Sequence, residues 1–462
     1  MGVGVSNWRL ARAVSLAGGL GVVSGTALEV VAARRLQCGD EGGHMRRALA
    51  AFPFPEMARR MWERFFIPGG KAPSTGFVPL PLPNAAAARL REEWTVVAAF
   101  CEVYLAREGH GRPVGFNLLE KIQVPTLCGL FGAMLAGAEV VLMGAGIPRQ
   151  IPGILDRLAA GEEAVLKLDV QGAETGVHEM RLDPRTWGEG PLPELRRPLF
   201  LGIVGSSTLA QALARKASGR VDGFVVEGQE AGGHNAPPRG GGTRTAEGEP
   251  VYGPRDRPDL AAFRALGRPF WLAGGYGRPG RLAAARAEGA QGIQAGTIFA
   301  FCEESGITPE IKRRVLAESR AGTLRVFTDP EASPTGFPFK IVRLAGSMAE
   351  AAVAARRGRV CDLGFLRTLA LCQGKLVHRC PGEPVEDYLA KGGAAVETVG
   401  RICVCNGLLG TIGLGQVRLG EREPCLVTAG QDAEELGAWF PAALGGYAAA
   451  EAVECLMEGM KA

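Results

Sequence analysis

The sequence predicts an α/β protein built on a (β/α)8 parallel barrel (TIM barrel), with a helical insertion after the second strand and a cysteine-containing C-terminal extension. Three observations point there. Short apolar, β-branched runs recur along the chain, each closes on glycine-rich punctuation, and an Ala/Leu/Arg stretch of helical length follows. That alternation is the pattern of a parallel sheet, whose strands need crossover connections. The 67 glycines lack a collagen period and gather at the ends of apolar runs, where βα loops turn tightly or let backbone approach a ligand.

Strands are expected at Gly21 to Ser24, Val114 to Leu118, Val140 to Met143, Leu199 to Val204, Gly223 to Val226, Phe270 to Ala273 and Gly292 to Ala295. A closed barrel needs eight. The missing one belongs before the helix Trp8 to Ala17, where only Met1 to Val5 remains, so the first strand is expected to be short or cut, or to begin upstream of the assigned start. Between 28 and 112 lie amphipathic helical patterns such as Pro55 to Phe66 and a proline-rich loop, Pro79 to Pro83; from 306 to the end the chain reads as a helical extension. The barrel would then comprise 1–27 and 113–305. Within Ala164 to Asp183, two runs, Val165 to Val170 and Val177 to Leu182, are separated by Gly172 and Gly176 and predict a hairpin excursion. Arg12, Arg34 and Arg35 fall on helical patterns and are expected on solvated faces.

Composition excludes several classes. A net charge of +4 on 462 residues, with no long Lys/Arg run, leaves no electrostatic footprint for nucleic acid. Thr126 to Ile147 is apolar with one charge, but its glycines and Glu139 predict a buried helix, Thr126 to Ala136, and a strand rather than a membrane span. No secretion leader opens the chain, so a cytoplasmic location is expected, with the 11 cysteines as reduced thiols.

The stretch VDGFVVEGQEAGGH, Val221 to His234, is an apolar strand running into a loop of Gly, Gln, Glu and His. Residues just beyond a strand's C-terminal end face the active site of a barrel, which aims His234 at a ligand. Glycines 228, 232 and 233 would let a flat ring approach the backbone, and a histidine there can take or return a proton near neutral pH. Further on, PFWLAGGYG (Pro269 to Gly277) and QGIQAGTIFA (Gln291 to Ala300) repeat strand, glycine turn and helix start. Bare N–H groups and helix dipoles converging after the last two strands suit a phosphate.

These segments, with MGVGVSNWRLARAVSLAGGLGVVSGTAL and VGFNLL, resemble the nitronate monooxygenase family, once called 2-nitropropane dioxygenases, which includes flavin-dependent enoyl-acyl-carrier-protein reductases. The likeness covers about residues 1–28 and 113–303, and EAGGH is its most specific part. The resemblance implies FMN, and no GxGxxG turn follows the first strand to suggest a dinucleotide. It further implies that Asn117 hydrogen-bonds the flavin, Glu227 and Gly232 line its ring or side chain, and Gly275 with Gln294, Ala295, Gly296 and Thr297 binds its phosphate. His234 takes the catalytic position. Glu227 departs from the Gln of many nitronate oxidisers and matches the enoyl reductases, so NAD(P)H-dependent reduction of an enoyl thioester is the alternative to nitronate oxidation. A non-catalytic flavin-binding scaffold is a third reading. Partners are expected to be a small-molecule substrate, with neither nucleic acid nor membrane, and a homodimer is an open option.

Cys361, Cys372, Cys380, Cys403, Cys405 and Cys425 crowd the C-terminal extension without a C-x2-C spacing, so buried thiols are expected ahead of a metal site. His44, His110, His178 and His378 show no metal-ligand spacing, and Asp169 and Asp183 read as turn residues.

Overall fold

The computed structural model describes residues 2–84, 89–174, 178–188, 191–440 and 445–458. Its centre is a curled parallel sheet, a half-barrel, of strands β1 (Gly21–Ser24), β2 (Val114–Leu119), β3 (Val140–Gly144), β4 (Leu199–Val204), β5 (Gly223–Glu227), β6 (Phe270–Ala273) and β7 (Gly292–Gln294). They lie side by side in chain order, every pair parallel. The predicted strands are therefore present, with β7 ending one residue early and Ala295 already in the loop.

The closed eight-stranded barrel is corrected. Among the described residues the sheet has seven strands, with β1 and β7 at its edges. Residues 2–6 form a turn in which Val5 N–H donates to the Gly2 carbonyl and Gly4 takes a left-handed φ of +61°. The turn touches β1 through Ser24 N–H to Ser6 O at 2.9 Å. Asn7 then caps helix α1 (Trp8–Leu16) by accepting from Leu10 N–H, so the backbone turns into a helix where a strand would have to extend. Met1 lies outside the described residues.

Between β1 and β2 run helices α2 (Leu28–Gln37), α3 (His44–Ala50), α4 (Pro55–Phe65) and α5 (Arg89–Arg107). Helix α6 (Thr126–Leu135) follows β2 and crosses α5 closely. A Cβ at Gly132 would stand 2.2 Å from the Val96 carbonyl oxygen, so only glycine permits that crossing. The apolar stretch from Thr126 is thus a buried helix followed by β3, and no helix of the described residues is long and apolar enough to cross a membrane. The expectation of solvated arginines fails outright for Arg34, while Arg12 and Arg35 are half-buried. Arg34 is buried and donates to Leu414 O, and Arg35 pairs with the buried Glu102, because α2 is packed on all sides rather than on one face.

The hairpin is present as Ala164–Lys167 against Glu179–Leu182. Val170, expected to continue its first strand, instead pairs in parallel with Leu369. Gly176 and Val177 lie outside the described residues.

The C-terminal region is also corrected from helical to mixed. It carries the antiparallel pair β8 (Val326–Asp329) and β9 (Phe339–Val342), a second pair Thr368–Cys372 with Lys375–Arg379, and short helices. Its runs VFTD and FKIV are too short to stand out by period alone. The region shares a core with the half-barrel: Leu10, Val14, Ile298 and Phe301 pack with Val315, Val342, Val427 and Tyr447. The Tyr447 hydroxyl donates to Ile298 O at 2.5 Å.

Candidate active site

A cavity of about 940 Å³ opens at the C-terminal ends of the strands. Asn117, Glu227, Gly232, His234, Gly275, Gln294, Ala295, Gly296 and Thr297 all line it, so the structure brings the sequence-predicted set together. Apolar side chains of the sheet, Val22, Leu142, Ile203 and Val225 among them, form its floor. Apolar walls with a few convergent polar groups are the usual make-up of a small-molecule site.

His234 is held from two directions. The loop after β5 returns to the sheet through Gly228 N–H, which donates to Ala273 O at 2.9 Å. Gly233, at φ +81°, then turns the chain so that residues 233–235 pair with the start of β9. Lys340 N–H donates to Gly233 O and Asn235 N–H to Pro338 O, each at 2.9 Å. The imidazole Nε2 lies 2.6 Å from Ser333 Oγ, which is in turn 2.9 Å from Thr335 Oγ1, and the ring packs against Phe339 at 4.8 Å between centroids. Burial, reinforced by the positive charge of Lys121, pulls the histidine down to about 3, so the ring is neutral throughout the physiological range.

Glu227 is the last residue of β5, beside Ala273 of β6. Burial pushes its carboxyl up to about 7, which makes it a group in this cavity poised to change charge near neutrality. Asn117 donates from Nδ2 to Leu142 O at 3.3 Å, tying β2 to β3 while its side chain faces the cavity. Asn235 is 4% exposed, and its Oδ1 has no hydrogen-bond partner among the described residues although Nδ2 donates to Ala231 O. A buried acceptor without a donor costs free energy, and one on a cavity wall is satisfied by a ligand N–H.

The glycines divide by what each Cβ would meet. At Gly232 it would come within 2.7 Å of Ala429 C and Gly430 N. The space expected there for a flat ring is thus taken by the chain's own 429–430 segment, a contact between residues far apart in sequence. Gly274, at φ +80°, would strike the Gly228 backbone, so this glycine serves loop packing. Gly233 and Gly296 have nothing of the described residues within 4 Å of that position and leave their backbones open.

The predicted phosphate cradle keeps its bare N–H groups but loses most of the helix dipole. The helices that follow the two glycine loops, Arg281–Ala287 and Thr297–Ala300, have only 7 and 4 residues. Thr297 Oγ1 accepts from Gly430 N–H at 2.9 Å. The Glu230 carboxylate lies over Gly275, where a Cβ would be 1.8 Å from Oε2. Arg278 nearby is engaged by Asp432 at 2.6 Å and Glu435 at 3.0 Å. An incoming phosphate therefore requires the exposed Glu230 side chain to swing outward, a motion that exposed rotamers make readily. With that motion the open backbone at Gly296, the orphaned Asn235 acceptor and the apolar floor fit a flat ring carrying a polar edge and a phosphate.

Lys121, which the sequence reading passed over, also lines this cavity. It stands two residues beyond β2, and the strand-end rule that singled out His234 is the signal that could have found it.

Fold and site together define an α/β protein whose parallel strands end in one cavity, with a neutral histidine and glycine turns at its rim. The family model for nitronate monooxygenase matches residues 189–358. A Mycobacterium tuberculosis protein described as a monooxygenase, Rv1533, is 29% identical over 205 residues, 42% of this chain and 49% of that one. A Bacillus subtilis protein described as a nitronate monooxygenase is 36% identical over 135 residues, 29% of this chain and 37% of that one. The alignments thus span half or less of these curated relatives. Among solved structures, FabK from Thermotoga maritima superposes with a TM-score of 0.46 at 16% identity, covering 98% of this chain and 88% of its own. The nitroalkane oxidase from Streptomyces ansochromogenes does so with a TM-score of 0.44 at 18% identity, covering 99% and 92%. The sequence matches make this chain similar to the nitronate monooxygenase family over these segments.

Proposed function

We propose that this protein is an FMN-dependent oxidoreductase that oxidises alkyl nitronates, with His234 as its base. The observation that carries this reading is the geometry of His234: a neutral imidazole, anchored by Ser333 and packed on Phe339, on the wall of the cavity that collects the strand ends. When bound, FMN supplies the electron-accepting chemistry, and dioxygen is the final oxidant that leaves a carbonyl compound and nitrite.

The chain's own residues position, exclude water and move a proton. Asn117 and the unpaired Oδ1 of Asn235 would meet the polar edge of the ring. Gly275 and the 294–297 turn would hold the phosphate through backbone N–H groups. Where a nitroalkane enters, His234, free of its own proton load, would accept the proton from the carbon bearing the nitro group and so generate the nitronate, while Ser333 keeps Nε2 in place; a nitronate taken up directly needs no such transfer. An imidazolium formed in so desolvated a setting is stabilised by the anion it creates, which ties proton transfer to the presence of substrate.

The enoyl-thioester alternative has one specific support beyond Glu227. A second cavity of about 440 Å³ adjoins the first and shares Lys121, Ile122, Phe365 and Leu366 with it, space for the tail of a long substrate. Anaerobic mixing with propionate 3-nitronate or with NADH separates the two, read as loss of the flavin band near about 450 nm. Bleaching by the nitronate is the expected result; bleaching by NADH alone overturns the reading in favour of the reductase.

A further inference from the structure

Lys121 is a cation whose ammonium makes no hydrogen bond and no ion pair within 4 Å among the described residues. Its Nζ stands 3.0 Å from the centroid of the Phe337 ring, and the side chain lines both cavities at their junction. Phe337 belongs to the segment that fixes His234: Ser333 holds the imidazole Nε2, and Phe339 packs on the ring. One stretch of chain thus positions an imidazole and an ammonium on the same cavity, close enough that the lysine's charge acts on the histidine. The neighbouring carboxylate, Glu120, forms no ion pair with Lys121 among the described residues. Burial lowers the lysine to about 8, an effect that the charge of the neighbouring Glu120 offsets only in part.

An unpaired, half-desolvated cation on a ligand cavity is stabilised when an anion enters. A neutral imidazole beside it adds no repulsion to the cation and can donate or accept a hydrogen bond as the anion requires. We propose that Lys121 is the anion-binding residue of this cavity, its ammonium holding the oxyanion head of a small organic anion beside His234 and so selecting anionic over neutral substrates. This deepens the nitronate reading and rests on it for the identity of the substrate, though not for the site. The bound anion also offsets the charge that Lys121 places on His234, so that substrate binding makes the imidazole a better proton acceptor.

The test uses nitrate, a planar oxyanion that is not turned over, titrated calorimetrically into the purified full-length protein and into Lys121→Met and Lys121→Arg. Binding by the wild type, weakened at least about tenfold in Lys121→Met and retained within about threefold in Lys121→Arg, is the expected result. Equal affinities for wild type and a folded Lys121→Met, or no binding by the wild type, overturn the proposal. Should the methionine variant fail to fold by circular dichroism, Lys121→Gln carries the same comparison. With propionate 3-nitronate, Lys121→Met should raise KM at least about tenfold with a smaller change in kcat; a fall in kcat at unchanged KM overturns the binding role. Lys121-dependent nitrate binding in a protein that does not oxidise nitronates would reject the nitronate reading and leave the anion site standing.

Discussion

The Nε2 of His234 and the Oγ of Ser333 stand 2.6 Å apart, a hydrogen bond that joins the loop after β5 to the segment leading into β9 across 99 positions of sequence. The histidine's orientation is therefore set by the C-terminal region and not by the strand that carries it. Replacing Ser333 with Ala should leave the imidazole in the cavity but unanchored. The expected loss in kcat/KM with a nitroalkane as substrate is about tenfold, the worth of one hydrogen bond to a positioned group. His234→Asn should cost about 10²- to 10⁴-fold, the usual range for a proton-transfer residue. Steady-state kinetics on the two variants checks the order.

The neutral state of His234 has a consequence for pH. With the ring held near 3, its protonation produces no acid limb around 6.5 in the kcat/KM profile of the free enzyme. A change centred near 7 is expected instead from Glu227, and it should vanish in Glu227→Gln.

Glu227 also links stability to pH. Its carboxyl rises from 4.5 to about 7 on folding, so between those values the folded state holds a proton that the unfolded chain has lost. The stability this proton contributes is present below 4.5 and is lost as pH rises through 7. Glu227→Gln, which cannot ionise, should therefore match the wild type at pH about 4.5 and melt higher than it above pH about 8. Scanning calorimetry of the cofactor-free proteins at the two pH values reads the difference.

Two glycine substitutions should separate packing from ligand access. Gly232→Ala sets a methyl 2.7 Å from backbone atoms of Ala429 and Gly430, which must shift, at a cost of about 1–3 kcal/mol in urea unfolding. Gly296→Ala meets nothing within 4 Å at a φ of −121°, so its stability should stay within about 0.5 kcal/mol of the wild type. If the 294–297 turn holds the FMN phosphate, that second variant alone should bind FMN more weakly, measured by fluorescence quenching.

The C-terminal cysteines should be thiols. Among the described residues no three His, Cys, Asp or Glu side chains come together as a metal site, and burial pushes Cys403 and Cys405 up, which disfavours the thiolate that zinc or iron needs. Elemental analysis should find less than about a tenth of an equivalent of either metal.

Apolar runs ending in glycine pointed to β5 and His234 and to the glycine turn at 294–297, whereas Asn117 came from the family resemblance. The strands were legible because strand period and turn chemistry are short-range properties, each written within about ten residues. Contacts between distant segments were not legible in that way. Gly232 looked like space for a ligand and is space for residues 429–430. Arg34 looked solvated and is buried against Leu414 O. The runs at β8 and β9 revealed themselves as strands only by pairing with each other. The sequence by itself determined the parallel α/β alternation and the histidine at its rim. Tertiary structure alone decided that this histidine is neutral, that Ser333 orients it and that an unpaired Lys121 shares its cavity, because desolvation and charge depend on what surrounds a side chain in space.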